Sequence, residues 1–148
     1  MKRLAQVPLL FLIASSCYAQ INSLIPDWVI PVDIKSATMV NKDHVKDGYY
    51  YVLIDEQYNT IKKHNYYHYA TSVLTEEALM NVSQIEFSYD PSYEKAVLHF
   101  IKIHRGSEII DKTKTLESKI LNEESKRSRG LLSGKKTFYT NLSDVRKG

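Results

Sequence analysis

Between Tyr49 and Tyr69 the chain runs Tyr49-Tyr50-Tyr51-Val52-Leu53-Ile54, then Gln57-Tyr58-Asn59-Thr60-Ile61, then Tyr66-Tyr67-His68-Tyr69. No other tract restricts the fold as strongly. Aromatic and β-branched side chains lose rotamer freedom against a preceding helical turn but pack well on a pleated surface, so this density selects strands. Tyr51 with Leu53, and Tyr67 with Tyr69, stand at period two within their own segments. The reading is two long strands with a boundary near Ile61 to His64.

The later sequence continues in the same class. Thr75 followed by Glu76, Glu77 and Ala78 reads as a helix start, with the hydroxyl capping free amides and the acids at the positive end. Leu79, Met80 and Val82 extend it by one or two turns to about Ser83. Ile85 to Tyr89 alternates again. Pro91 fixes its own φ and biases Asp90 away from helix, so Asp90-Pro91-Ser92 reads as a turn. Ala96 to Ile103 is apolar on most of both sides, which predicts a strand covered on both faces. Arg105-Gly106-Ser107-Glu108 then turns into a return strand at Ile109-Ile110, a hairpin. Thr113 to Arg129 reads as a surface helix or a mobile excursion, and Thr137 to Leu142 as a final strand whose sheet edge nothing covers.

A chain of 148 residues fits one domain. Its start is a poor candidate for that domain. Lys2 and Arg3 precede an apolar run from Leu4 to Ala14, and Ser15-Ser16-Cys17-Tyr18-Ala19 is small and mixed, the order of a secretory signal cleaved after Ala19. The run is short for a membrane span and is interrupted by Pro8. Cys17 offers a second possibility, a lipidated N-terminus, although no large aliphatic residue stands three positions before it. Cleavage after Ala19 leaves no cysteine, hence no disulfide, thiol nucleophile or cysteine-held metal. Without Lys2 and Arg3, 18 basic side chains face 17 acidic ones, which is no nucleic-acid footprint. The cluster Lys126-Arg127-Ser128-Arg129 closely follows Glu123-Glu124, with Ser125 between, and reads as a solvated turn or helix end.

Candidate chemistry is sparse. The histidines are His44, His64, His68, His99 and His104. His64 and His68 share one side of a strand but stand roughly 13 Å apart along it, too far to chelate one metal. No His-Glu-x-x-His, Gly-x-Ser-x-Gly or phosphate-loop motif occurs, so no cofactor or metal is expected. Asp55, Glu56, Asp90, Glu94 and Asp111 could pair as acid and base, but nothing in the spacing brings two of them together. The eleven tyrosines carry more information. The preferred reading is cross-strand packing over the sheet faces. The sharper one is a recognition surface drawn from Tyr66, Tyr67, Tyr69, Tyr89, Tyr93 and His99.

The order of these segments resembles a known family. Asp47-Gly48-Tyr49-Tyr50-Tyr51-Val52-Leu53-Ile54-Asp55, Tyr66-Tyr67-His68-Tyr69-Ala70 and Val73-Leu74-Thr75-Glu76-Glu77-Ala78 are followed by the strongest piece, Tyr89-Asp90-Pro91-Ser92-Tyr93-Glu94-Lys95. Leu98-His99-Phe100, Arg105-Gly106-Ser107-Glu108-Ile109-Ile110-Asp111 and Asn141-Leu142-Ser143-Asp144-Val145-Arg146-Lys147-Gly148 complete the pattern. It is similar to domain of unknown function 3857, the N-terminal β-domain found ahead of transglutaminase-like domains in secreted proteins of Bacteroidota-type bacteria. Ala78 stands where that family usually has glycine, and Arg105-Gly106-Ser107 lacks the acidic residue common before the hairpin glycine.

The resemblance implies a mainly β, antiparallel, sandwich-like domain with one or two short helices and no catalytic residues of its own. The expected organisation is a signal peptide at 1–19, a lead segment at 20–46 and the β-domain at 47–148, incomplete at its C-terminus. A front fragment of this kind would be marginal in stability and prone to edge-to-edge self-association. The expected function is packing against a C-terminal transglutaminase-like domain, or binding of a protein, peptide or glycan, in the periplasm or outside the cell. No nucleic-acid partner and no membrane span are expected. Asp90, Pro91, Ser92 and Gly106 then serve as structural turns. The competing class is a small secreted hydrolase using Asp90, Glu94 and His99.

Overall fold

The computed structural model describes residues 20–21, 24–34, 45–122 and 134–148. The signal segment with Cys17, His44 and the Lys126 to Arg129 cluster lie outside these residues. The chain is mainly β, antiparallel in all but one pair, and of the sandwich-like class expected. The strands are β1 (Gln20–Ile21), β2 (Tyr49–Asn59), β3 (His64–Val73), β4 (Gln84–Tyr89), β5 (Val97–Leu98), β6 (Lys102–Arg105), β7 (Glu108–Asp111), β8 (Ser118–Asn122) and β9 (Lys136–Asn141). Helix α1 (Leu79–Ser83) is the one helix among the described residues.

The tyrosine tract forms the long hairpin β2–β3. Asn59 ends the first strand by accepting the Lys62 amide on its side chain at 2.8 Å, while Lys63 takes a left-handed φ of 54°. At the other end Gly48 has a φ of +70°, and its carbonyl accepts the amides of Leu74 and Thr75 at 2.8 and 3.2 Å. A Cβ there would come within 2.3 Å of the Thr75 hydroxyl, so the position excludes any side chain as the backbone stands. Segment 24–34 straps one face of the hairpin. Gln57 donates to the Ile30 carbonyl at 2.7 Å and accepts the Ile30 amide at 2.9 Å, a side-chain amide standing in for a neighbouring strand. Val29, within this strap, is buried.

Strands β4, β9 and β8 form a second sheet with β9 in the middle. Phe87 pairs with Phe138, their rings stacked at 4.8 Å and 11°, and Phe138 and Thr140 are the largest fully buried side chains. The last strand is therefore paired on both sides, correcting the expectation of an uncovered edge at Thr137 to Leu142. Its pairing also decides part of the stretch expected as a surface helix or mobile excursion. Ser118 to Asn122 is strand β8 rather than helix, because Ile120 pairs with Phe138 and the Thr140 hydroxyl bonds the Glu117 carbonyl at 2.7 Å. Local helical spacing is a weak prior beside such pairing.

Two further expectations are corrected. Helix α1 begins at Leu79 with Ala78 at its cap and no side-chain cap, rather than at Thr75. Thr75 is engaged elsewhere: its amide goes to Gly48 and its hydroxyl to Glu77. The apolar run Ala96 to Ile103 is not one strand. It breaks between β5 and β6, where Ile101 turns its backbone to the segment after β7, with its amide on the buried Thr113 hydroxyl at 2.9 Å and its carbonyl accepting the Lys112 amide. The hairpin β6–β7 closes through Gly106 and Ser107, of which only Gly106 has positive φ, at +56°, the requirement of a type II′ turn. Arg105 anchors this hairpin to the tail by pairing with the Asp144 carboxylate at 2.8 Å, which Arg146 also holds at 2.8 Å.

Candidate functional site

The register of β2 against β3 divides the hairpin side chains between two faces. Tyr51 pairs with Thr71 but Leu53 pairs with Ala70, so Val52 is an extra residue, a β-bulge. The bulge reverses the alternation. Tyr51 and Leu53, which a period-two reading places together, fall on opposite faces. Tyr49 and Tyr51 join Ile54, Glu56 and Tyr58, across from Val73, Thr71, Tyr69, Tyr67 and Asn65. Leu53, Asp55 and Gln57 share the other face with Ala70, His68 and Tyr66.

That second face is used for packing. Tyr66 is 6% exposed and tilts against His99 at 6.0 Å, while His68 meets the Phe100 ring edge-on at 5.1 Å. Burial pushes His68 below the usual imidazole range, with Asp55 opposing and Lys102 assisting. The first face stays open except at its end, where Val73 is buried. Tyr51, Ile54, Tyr58, Tyr67 and Tyr69 are 50–59% exposed, although they would cover a core if another layer lay on them.

The open face is ordered. Tyr67 and Tyr69 stack within 10° of parallel at 6.4 Å. Tyr51 tilts against Tyr69 at 6.0 Å, Tyr49 meets Tyr51 edge-on at 6.3 Å, and Tyr58 meets Tyr67 edge-on at 6.2 Å. Glu56 lies at the centre. Tyr69 donates to its Oε1 at 2.7 Å and Tyr58 to its Oε2 at 3.0 Å. These bonds favour the carboxylate and hold Glu56 below the usual range. They also push both phenols up to about 12, since ionising either would lose the bond and set two negative charges together. The result is a row of aromatic faces around one carboxylate.

The structure distributes the sequence candidates rather than gathering them. Tyr67 and Tyr69 stand on the open face. Tyr66 is buried on the opposite face with His99, and Tyr89 is 4% exposed in β4, so neither can join that surface. Tyr93 is exposed in the turn after β4. In that turn the Asp90 carboxylate accepts the Ser92 amide at 3.0 Å and its hydroxyl at 2.6 Å, while Glu94 accepts the Asp90 amide at 2.6 Å. Both carboxylates serve the turn that Pro91 enters, and His99 lies against Tyr66. Tyr49, Tyr51 and Tyr58 were not among the residues expected at a recognition surface, and Glu56 was weighed only as one of five carboxylates for acid–base pairing. The parity of Tyr49 and Tyr51 depends on the bulge at Val52, and the signal that could have placed Glu56 was its alternation with Ile54 and Tyr58. Among the described residues, no group of three or more His, Cys, Asp or Glu stands together and no helix is long and apolar enough to cross a membrane.

No curated protein and no solved structure matches this chain. The family described as a domain of unknown function with a solved structure, DUF3857, matches residues 60–148, more than half of the 148 residues. This chain belongs to the DUF3857 family.

Proposed function

We propose that this domain is a non-catalytic binding module whose contact surface is the open tyrosine face of β2–β3. One observation carries the reading. Four tyrosines of two strands, Tyr51, Tyr58, Tyr67 and Tyr69, are aligned half exposed on a single face with the less exposed Tyr49 beside them, while the opposite face packs against the strap and His99–Phe100. A sheet face meant only for water is normally polar. Tyrosine instead supplies large, rigid contact area with a polar tip and little conformational entropy to lose, the composition of binding surfaces. The alternative hydrolase draws no support from the geometry, since Asp90 and Glu94 are committed to the turn.

The proposal extends, on the resemblance in sequence, to an exported polypeptide in which this domain precedes a transglutaminase-like domain. The ligand is then a protein, peptide or glycan met outside the cytoplasm, or the neighbouring domain. A mature chain beginning at Gln20 would keep the pairing of Gln20 and Ile21 with Val97 and Leu98. Mass spectrometry of protein from an exporting bacterial host should find Gln20 first; retained Met1 would overturn the export reading.

A screen over immobilised peptides and oligosaccharides tests the binding face. Hits of the wild-type chain should vanish in the Tyr51→Ser/Tyr67→Ser/Tyr69→Ser variant, whose circular dichroism should stay that of the wild type. Hits indifferent to the triple change would overturn the assignment of the face. Turnover of a hit, abolished by His99→Ala, would overturn the non-catalytic reading.

A further inference from the structure

We propose that the tyrosine face takes an arginine side chain of a polypeptide partner, its guanidinium laid on the rings of Tyr67 and Tyr69 and paired with Glu56. The inference rests on the reading of this face as the binding surface and names what it binds.

Three observations lead there. The first is charge. By register the open face of β2–β3 carries one ionisable acid, Glu56, and no base. A neutral ligand covering the face would strip water from that carboxylate without supplying a counter-charge, which is costly. A cation supplies it, and aromatic rings attract cations to their faces as well. The second is hydrogen-bond capacity. Each Glu56 oxygen already accepts one phenol, Tyr69 on Oε1 and Tyr58 on Oε2. A carboxylate has about four acceptor sites, so each oxygen keeps about one more. Two parallel N–H groups of a guanidinium match that pair, whereas an ammonium is a point charge with no such fork. The third is shape. The rings of Tyr67 and Tyr69 are parallel within 10°, and Glu56 is the cross-strand partner of Tyr67. A planar cation can therefore stack on a ring and reach the carboxylate from the same position.

The bonds from the two phenols favour the charged form of Glu56 further and hold its two oxygens in place. Tyr58 and Tyr69 become positioning residues for the carboxylate. Tyr67 and Tyr69 are the rings in contact with the ligand.

The test uses the full chain with three acetylated, amidated pentapeptides: Gly-Arg-Gly-Arg-Gly, the same peptide with citrulline for arginine, and the same with lysine. Citrulline keeps the shape of arginine and removes its charge. Binding is followed by the ring resonances of isotope-labelled tyrosine. The arginine peptide should shift the Tyr67 and Tyr69 signals and bind about tenfold more tightly than the citrulline peptide, with lysine between them. Glu56→Gln should abolish the preference for arginine over citrulline while leaving the β-sheet spectrum unchanged, and raising salt should weaken the arginine peptide most. Equal binding of arginine and citrulline peptides would overturn the inference, as would no shift with any peptide. A neutral N-acetylglucosamine hexamer that binds through the tyrosines and ignores Glu56→Gln would overturn it too, while leaving the face itself as the binding surface. Shifts confined to residues off this face would overturn both readings.

Discussion

Replacing Glu56 by Gln removes the one negative charge from the centre of the tyrosine face and keeps its shape. Tyr69 and Tyr58 donate to that carboxylate at 2.7 and 3.0 Å, and both phenols are pushed up to about 12 from an ordinary 10.0. For Tyr69 the bond to Glu56 is the first cause, so its titration should move back towards 10.0 once a neutral amide with one acceptor oxygen replaces the carboxylate. Tyr58 also has a bond to Tyr67 among its causes, so it should fall by less. Tyr66 is raised by burial first and by Asp55 second, and should not move. The assay is the ultraviolet absorbance of tyrosinate against pH, with labelled ring resonances to assign each step. Two of the eleven tyrosines should move their ionisation to lower pH in Glu56→Gln. The sign of the linkage follows. Because the folded-state values of Tyr58 and Tyr69 are raised, their contribution to stability is complete below about pH 10 and is lost as pH rises towards 12. Glu56 is lowered, so its contribution is present above the usual carboxylate range and lost as pH falls through its own value. Superimposable titration curves for wild type and Glu56→Gln would refute the central placement of this carboxylate.

Phe138→Ala removes a ring that is 1% exposed and stacked on Phe87, and should cost about 3–5 kcal/mol in denaturant unfolding; a loss below about 1 kcal/mol would contradict its burial. Gly48→Ala forces a side chain into a φ of +70° and against the Thr75 hydroxyl, so it should cost at least about 1–2 kcal/mol, with part restored by Thr75→Ala in the same chain. Thr113→Val keeps the volume but takes the acceptor from the Ile101 amide, at an expected cost of about 1–3 kcal/mol by the same measurement. His68 is lowered by burial, so the folded state resists its protonation and stability should fall as pH drops below the usual imidazole range; His68→Gln should flatten that part of the melting-temperature profile.

Much of the fold was legible from composition and punctuation. The density of tyrosine and β-branched residues around Tyr49 to Tyr69 determined a strand pair, since such side chains suit a pleated surface wherever they meet one. The Asp90-Pro91-Ser92 turn and the Gly106 hairpin could be read because φ restriction and positive φ are local properties. Other elements needed partners distant in the chain. Leu116, Ile120 and Leu121 stand at irregular helical spacing, yet Ser118 to Asn122 becomes a strand because β9 offers a row of backbone groups and Phe138 a partner for Ile120. Val97 to Ile103 is broken by the demands of Ile101 and Thr113, twelve residues apart. The candidate site was least visible of all. One extra residue at Val52 reverses the parity of everything before it, moving Tyr49 and Tyr51 onto the face of Tyr67 and Tyr69. The tyrosines were therefore countable in the sequence, but which of them look outward, and that Glu56 sits among them, was decided only by strand register, because a side chain's face depends on pairing rather than on residue type.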